Sequence, residues 1–331
     1  ERETLHKILS GDILDSKFDI AKILVKNKFF MLLIKSSIEY ILKKGFERIY
    51  ITIGSRIKNW SIDKGANNIL EYIKNKNLLN TTKKDPKFIF INFMETHEPY
   101  FIGKCETLDC LSNFKNEVLE KLLTENCLYK LRTSYINGIK YVTQKIIELL
   151  QLLKYYREFD NSLIIITSDH GQLLGEHGKI GHGTFLYDEL LRVPLFIKYP
   201  EKMNIKLSQN NTGYISLTKL KPFIINLVNN NLSDDGILYS DTVFAESYGI
   251  HCSKIKSSEE KIRLKAEQFE KYRIAIYYKN FKGIFNVEDW KFEEVISYDP
   301  SIEITEDVLN QMRRKIIKFL NVATAAKSVE A

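Results

Sequence analysis

Three features are missing from this chain. No apolar run approaches the roughly 18 residues needed to cross a bilayer. The nearest, Phe29–Ile34, is closed off by Lys28 and Lys35 and reads as a buried helix or strand. No CxxC pair occurs among the four cysteines, Cys105, Cys110, Cys127 and Cys252. Their spacing favours unpaired thiols in a reducing compartment, so the cytoplasm is favoured for the visible chain while localisation stays open. Charge is not clustered either: 49 basic and 42 acidic residues give +7, with lysine spread along the whole length. That pattern describes a solvated surface rather than a nucleic-acid stripe, although its field favours an anionic substrate. The chain opens on Glu1 with no signal-like segment after it, and a processed form or fragment is expected.

What is present points to an enzyme. The 331 residues are 44% hydrophobic and 12% aromatic, enough for one large α/β domain and a smaller one. Ser162–Pro200 holds three of the six histidines and five of the fifteen glycines. Its apolar run Leu163–Thr167 ends abruptly at Ser168-Asp169-His170-Gly171. The run predicts a buried parallel strand that delivers a carboxylate and an imidazole at its carboxyl end, where open α/β sheets bind ligands and metals. Phe88–Phe93 predicts a second such strand, with His97 just beyond it.

Elsewhere the spacing predicts one or two helices over Phe18–Lys44, a strand at Arg48–Ile53 and a helix over Asp63–Lys76 capped by Asp63. A long amphipathic helix is expected over Asn116–Leu153, broken near Thr124–Asn126, with Leu131, Tyr135, Ile139, Val142 and Ile146 on its buried face. Leu195–Ile197 reads as a short strand and Leu217–Val228 as a helix. Beyond Asp235 the texture changes. Thr242–Glu246, Tyr272–Tyr278 and Phe281–Asn286 predict an antiparallel sheet, Glu306–Leu320 a closing helix, and Ala323–Ala331 a frayed tail. The expected divisions are 1–235, 236–322 and the tail 323–331.

Adjacent strand residues point to opposite faces, so Asp169 and His170 can reach one ion only where the backbone turns, and Gly171 permits the turn. An anionic oxygen and a neutral imidazole suit a divalent cation. His182 follows His170 by twelve residues through a glycine-punctuated loop and can return to the same site. His177 either joins the site or holds the loop by a hydrogen bond, and Glu176 reads as structural. His97, just after a strand, is placed to donate to a leaving-group oxygen or to a sulfuryl or phosphoryl oxygen, the alternative being a loop histidine in a turn. Arg192 is expected to pair with Asp188 or Glu189.

Phe88–Tyr100 and Leu163–Pro200 resemble the sulfatase family of the alkaline-phosphatase-like superfamily, with weaker echoes from about Asp63 to Asn286. The resemblance implies an α/β fold with a mostly parallel central sheet flanked by helices and a small C-terminal antiparallel sheet plus helix. It implies Asp169 and His170 as ligands of one divalent metal, Ca or Mn/Zn, and His97 and His182 as catalytic groups. The implied reaction is hydrolysis of sulfate esters, the implied partner a small anionic ester, with no nucleic acid and no membrane segment; oligomeric state is not legible. His170, where many sulfatases carry Asn, resembles the phosphonate-monoester-hydrolase and transferase branches. The alternatives are therefore a phosphoethanolamine- or phosphoglycerol-type transferase, a phosphonate or phosphate ester hydrolase, or a non-catalytic relic of the fold.

The family also implies formylglycine, made from the Cys or Ser of a C/S-x-P-x-R motif. Here the residues two before the six prolines are Lys84, His97, Arg192, Lys198, Leu220 and Tyr298, so the motif is absent. The chain is expected to be inactive or incomplete by itself.

Overall fold

The computed structural model describes residues 63–80, 86–98, 100, 124–203, 205–207, 213–229, 231–249, 269 and 271–329. Asp63 apart, these belong to one compact unit, Lys64–Tyr100 with Glu106–Ala331. The elements expected over Phe18–Lys44 and Arg48–Ile53 lie outside the described residues.

Helix α1 (Ala66–Asn75) buries Ala66, Leu70 and Ile73, the three- and four-residue repeat read from the sequence. Its N-cap is Gly65, not Asp63. The orphan amides of its first turn are met from a distance: Glu95 Oε1 accepts from Lys64 N at 3.1 Å and Ala66 N at 2.9 Å.

Helix α2 (Glu125–Tyr155) begins at the expected break, where the Thr124 side chain accepts from Cys127 N at 3.3 Å. Its buried line is Leu131, Ser134 and Gly138, while Ile139, expected inside, is exposed. Small residues let the helix approach neighbouring backbone along that line, and Tyr100, Leu131 and Ile180 form the cluster at its N-terminal end. Cys127 is disulfide-bonded, which corrects the expectation of free thiols; its partner lies outside the described residues.

Strand β1 (Ile164–Thr167) pairs antiparallel with β4 (Leu195–Lys198), Ile164 opposite Lys198 and Thr167 opposite Leu195. Between them β2 (Leu173–Leu174) and β3 (Ile180–Gly181) form a small antiparallel hairpin, followed by the single-turn helix α3 (Asp188–Leu191). Strands β5 (Tyr214–Ile215) and β6 (Tyr239–Ser240) pair likewise. Helix α4 (Leu220–Val228) covers β1 and β4, with Phe223, Leu227 and Leu238 packed on Leu163, Ile165 and Ile197.

Among the described residues every named strand pair is antiparallel, and only the isolated Lys206–Asp234 bridge is parallel. The neighbour that the described residues place beside Leu163–Thr167 is thus an antiparallel one. An apolar β-branched run reports burial, not the direction of the strand beside it. Phe88–Phe93, also expected as a buried strand, is assigned to no ladder, and Phe88 and Phe90 are 78% and 81% exposed.

The C-terminal region follows expectation more closely. Strands β7 (Thr242–Ser247), β8 (Arg273–Tyr278), β9 (Phe281–Asn286) and β10 (Lys291–Ser297) form an antiparallel sheet in the order β10-β9-β8-β7. Strand β8 is buried on both faces. Ile274, Ile276 and Tyr278 meet helix α5 (Glu306–Val329) through Met312 and Ile316, while Ala275 and Tyr277 pack on Leu186. Helix α5 runs on to Val329, past the expected stop at Leu320. Among the described residues no helix is long and apolar enough to cross a membrane.

Candidate functional site

The tip of β1 is held by its neighbours. Thr167 Oγ1 donates to Pro194 O at 2.9 Å, Ser168 Oγ to His170 O at 2.7 Å, and Gly171 N to Leu190 O at 2.8 Å. A Cβ at Gly171 would stand 1.9 Å from Glu189 O, so only glycine fits where the chain passes α3. This turn aims the Asp169 and His170 side chains beyond the strand end.

His97 is placed from the other side. The loop that carries it is anchored by the fully buried Glu95, whose carboxylate meets the start of α1. Gly138 on α2 leaves room for the Glu95 backbone: a Cβ there would come within 2.8 Å of Glu95 O. His97 N donates to Met94 O at 3.1 Å, and Lys64 Nζ donates to His97 O. Burial lowers the Lys64 pKa to about 8, with the Glu95 and Glu98 charges pulling the other way.

The glycine-rich segment returns His182 to this point. Between β2 and β3 the chain turns tightly at Glu176–Gly178, where His177 adopts a left-handed φ of 55°. His177 stacks on Tyr187 with ring centroids 3.7 Å apart, and its Nε2 lies 3.3 Å from Glu189 Oε2. It therefore holds the loop, and the alternative of a role among the clustered histidines falls away. Glu176 Oε2 accepts from Leu174 N at 2.5 Å, the structural role expected of it.

Three imidazoles consequently stand in a row. His182 stacks on His170 with centroids 4.2 Å apart and also meets His97 edge-on at 5.2 Å. Asp169 lies beside them, its Oδ2 3.9 Å from His170 Nε2. The four residues named from the sequence are thus neighbours. All three rings are oriented alike: Nδ1 of His97 faces Glu98 O at 2.6 Å, Nδ1 of His170 faces Gly171 O at 2.8 Å, and Nδ1 of His182 faces Gln172 Oε1 at 3.2 Å. A carbonyl oxygen only accepts, so each Nδ1 carries the proton and each Nε2 keeps its lone pair in the neutral ring. Burial and the His170 ring, with His97 adding to them, hold His182 below the ordinary histidine pKa, against Glu98 and Asp169.

Sequence reasoning missed four residues that set this geometry: Glu95, Glu98, Gln172 and Gly138. Glu98 Oε2 lies 3.7 Å from where a Cβ on Gly181 would be. A glutamate in a loop normally reads as solvated, and nothing in the local sequence marks Glu95 as buried.

A divalent cation would find two donors here, Asp169 Oδ2 and His170 Nε2. Asp169 is 87% exposed and open to a guest. Among the described residues, however, no group of three or more His, Cys, Asp or Glu gathers to hold a metal. The donors fit half of a cation site. No Cys or Ser two residues before a proline exists to become formylglycine, so that group does not fit this chain. Arg192 pairs with Asp188, as expected, though at 4.0 Å.

An endo-4-O-sulfatase of Bacteroides thetaiotaomicron is 26% identical over 153 residues, 44% of this chain and 30% of that protein. An N-acetylglucosamine-6-O-sulfatase of the same organism is 42% identical over 67 residues, 20% of this chain and 12% of that protein. A solved phosphonate monoester hydrolase of Agrobacterium radiobacter aligns with a TM-score of 0.43 at 20% identity, covering 61% of this chain and 43% of that one. The chain thus spans less than a third of the length of the curated relatives it matches. The sulfatase family model matches residues 33–230, more than half of the sequence, and the chain belongs to the sulfatase family.

Proposed function

We propose that this chain carries part of the machinery of a metal-dependent sulfate ester hydrolase acting on a small anionic ester. The observation that carries the reading is the row His97–His182–His170 beside the Asp169 carboxylate. Asp169 and His170 would hold one divalent ion, which when bound polarises the sulfuryl oxygens as a Lewis acid. His182, between the other two rings, binds a sulfuryl oxygen; when protonated at Nε2 it donates to the negative charge that builds there. His97, edge-on to His182, when protonated at Nε2 delivers that proton to the leaving alkoxide and returns to the Nδ1-protonated neutral ring. The complete architecture proposed is a mostly parallel sheet flanked by helices, with 236–322 as a C-terminal α+β part and 323–331 as its tail. The Cys127 disulfide supports an oxidising compartment over the cytoplasm.

With half of a metal site and no formylglycine position, the chain alone binds metal weakly and turns over no aryl sulfate. Calorimetry with Ca²⁺, Mn²⁺ and Zn²⁺ tests the half-site: weak binding that disappears in Asp169→Ala supports it, and none with any ion leaves the relic. Hydrolysis of 4-nitrocatechol sulfate by the unsupplemented chain at enzyme-like rates would refute the incompleteness. At the matching positions of a complete sulfatase, His97→Ala or His182→Ala should each lower kcat by roughly 10²-fold or more.

A further inference from the structure

We propose that a cleft lined by residues other than the clustered histidines binds an anionic sugar carrying a sulfo group, as a second recognition site. The cleft, of about 420 Å³, is lined by Arg192, Tyr214, Lys279, Asn280 and Tyr298. It lies where the end of α3, strand β5, the β8–β9 turn and the end of β10 meet, and among the described residues no acidic one lines it.

Among the described residues its positive charge is met only loosely from behind. Asp188 is the nearby carboxylate, and its oxygens are already taken: Lys282 Nζ at 2.7 Å, Tyr277 OH at 2.7 Å and Tyr298 OH at 2.6 Å all donate to it. Lys282 is buried, so the single negative charge is matched there. Arg192 reaches no closer than 4.0 Å to that carboxylate, and its side chain is 66% exposed. Its guanidinium lies 5.4 Å from the Tyr298 ring centroid, an arrangement that fixes the cation without discharging it.

The turn supplies the second cation. Lys279 and Asn280 are the two residues joining β8 to β9, and Lys279 has a φ of 51°. Asn, Asp or Gly is the unstrained choice at such a position. The chain instead carries a lysine there, on the rim of the cleft, with its Nζ 5.1 Å from the Tyr278 ring centroid. The turn is braced: Tyr214 OH donates to Lys279 O at 2.6 Å, and Tyr298 N to Asn280 O at 2.7 Å.

Both lining tyrosines therefore have their hydroxyls committed to the protein and are held as rigid walls. Apolar ring surface suits the C–H face of a pyranose, the Asn280 amide suits sugar hydroxyls, and the Lys279 ammonium with the loosely paired Arg192 guanidinium suits a sulfo group. The volume admits a ligand of one or two sugar rings. The ligand class shares its sulfo group with the proposed substrate, but the binding itself does not depend on turnover.

The test uses the full chain in a His97→Ala/His182→Ala background without added metal, which removes both groups proposed to touch the ester there, with N-acetylglucosamine 6-sulfate as probe. Saturable binding is expected, weaker by about tenfold when Arg192→Gln and Lys279→Asn are added. Asn keeps the left-handed turn, and Lys279→Glu, which also leaves the core untouched, should abolish binding. N-acetylglucosamine and inorganic sulfate should each bind less tightly than the sulfated sugar. No binding in the His97→Ala/His182→Ala background, an unchanged Kd in the cleft variants, or equal affinity for inorganic sulfate would each overturn the proposal. Any of these leaves the metal-binding test of the sulfatase reading standing.

Discussion

The carbonyl oxygen of Glu95 occupies the place beside Gly138 where a side chain would begin, 2.8 Å from the ideal Cβ position. This contact seats the His97 loop on α2. Gly138→Ala gains about 1 kcal/mol of helix propensity. Overpacking against a backbone atom, which cannot rotate away, costs about 1–3 kcal/mol. The second effect should win, and the urea midpoint should fall. A raised midpoint would mean that the loop yields freely and that Gly138 does not position His97.

Glu95→Ala removes the acceptor for Lys64 N and Ala66 N at the start of α1. A loss of about 0.5–2 kcal/mol is expected, in the range of a helix cap. The same substitution removes a charge that supports protonated Lys64, so the lysine should titrate below its present value of about 8. NMR of the lysine side-chain carbons in the two proteins reads both the direction and its absence.

Asp188 gives the stability a pH dependence. Burial would raise its carboxyl pKa, but the bonds from Lys282, Tyr298 and Tyr277 outweigh burial and hold it below the ordinary range. A carboxyl depressed in the folded state contributes stability above its unfolded pKa, about 3.9, and loses that contribution as pH falls through the folded value. Urea midpoints should therefore drop on acidification from pH 5 toward 3, and drop less steeply in Asp188→Asn. Equal slopes would remove Asp188 from the account.

The Cys127 disulfide is open to direct chemistry. Maleimide under denaturing, non-reducing conditions should label no more than two of the four cysteines, and never Cys127, until a reductant is added. Labelling of Cys127 in protein folded under oxidising conditions would show the thiol to be free.

What the sequence revealed was whatever it encodes locally. The glycines between His170 and His182 announce a tight excursion, and the structure closes it as the β2–β3 hairpin. Alternation and tight connectors announce the C-terminal sheet, although β10, with Glu293 and Glu294 in its middle, carries too much charge to have been named. What it concealed depends on neighbours. The direction of β4 beside β1 leaves no mark in either run. The burial of Glu95 is visible only once α1 and α2 close around it. Gly138 looks like a flaw in a helix until the Glu95 carbonyl is beside it.

Phe88 and Phe90 have a practical bearing. Two exposed phenylalanines on a stretch that joins no ladder among the described residues are a site for association between molecules. Lys87, the adjacent charge, is drawn back onto the carbonyls of Leu78 and Asn80. Concentrated stocks of the purified chain should therefore grow turbid on standing, and Phe88→Lys with Phe90→Thr should lengthen their shelf life without touching the histidines.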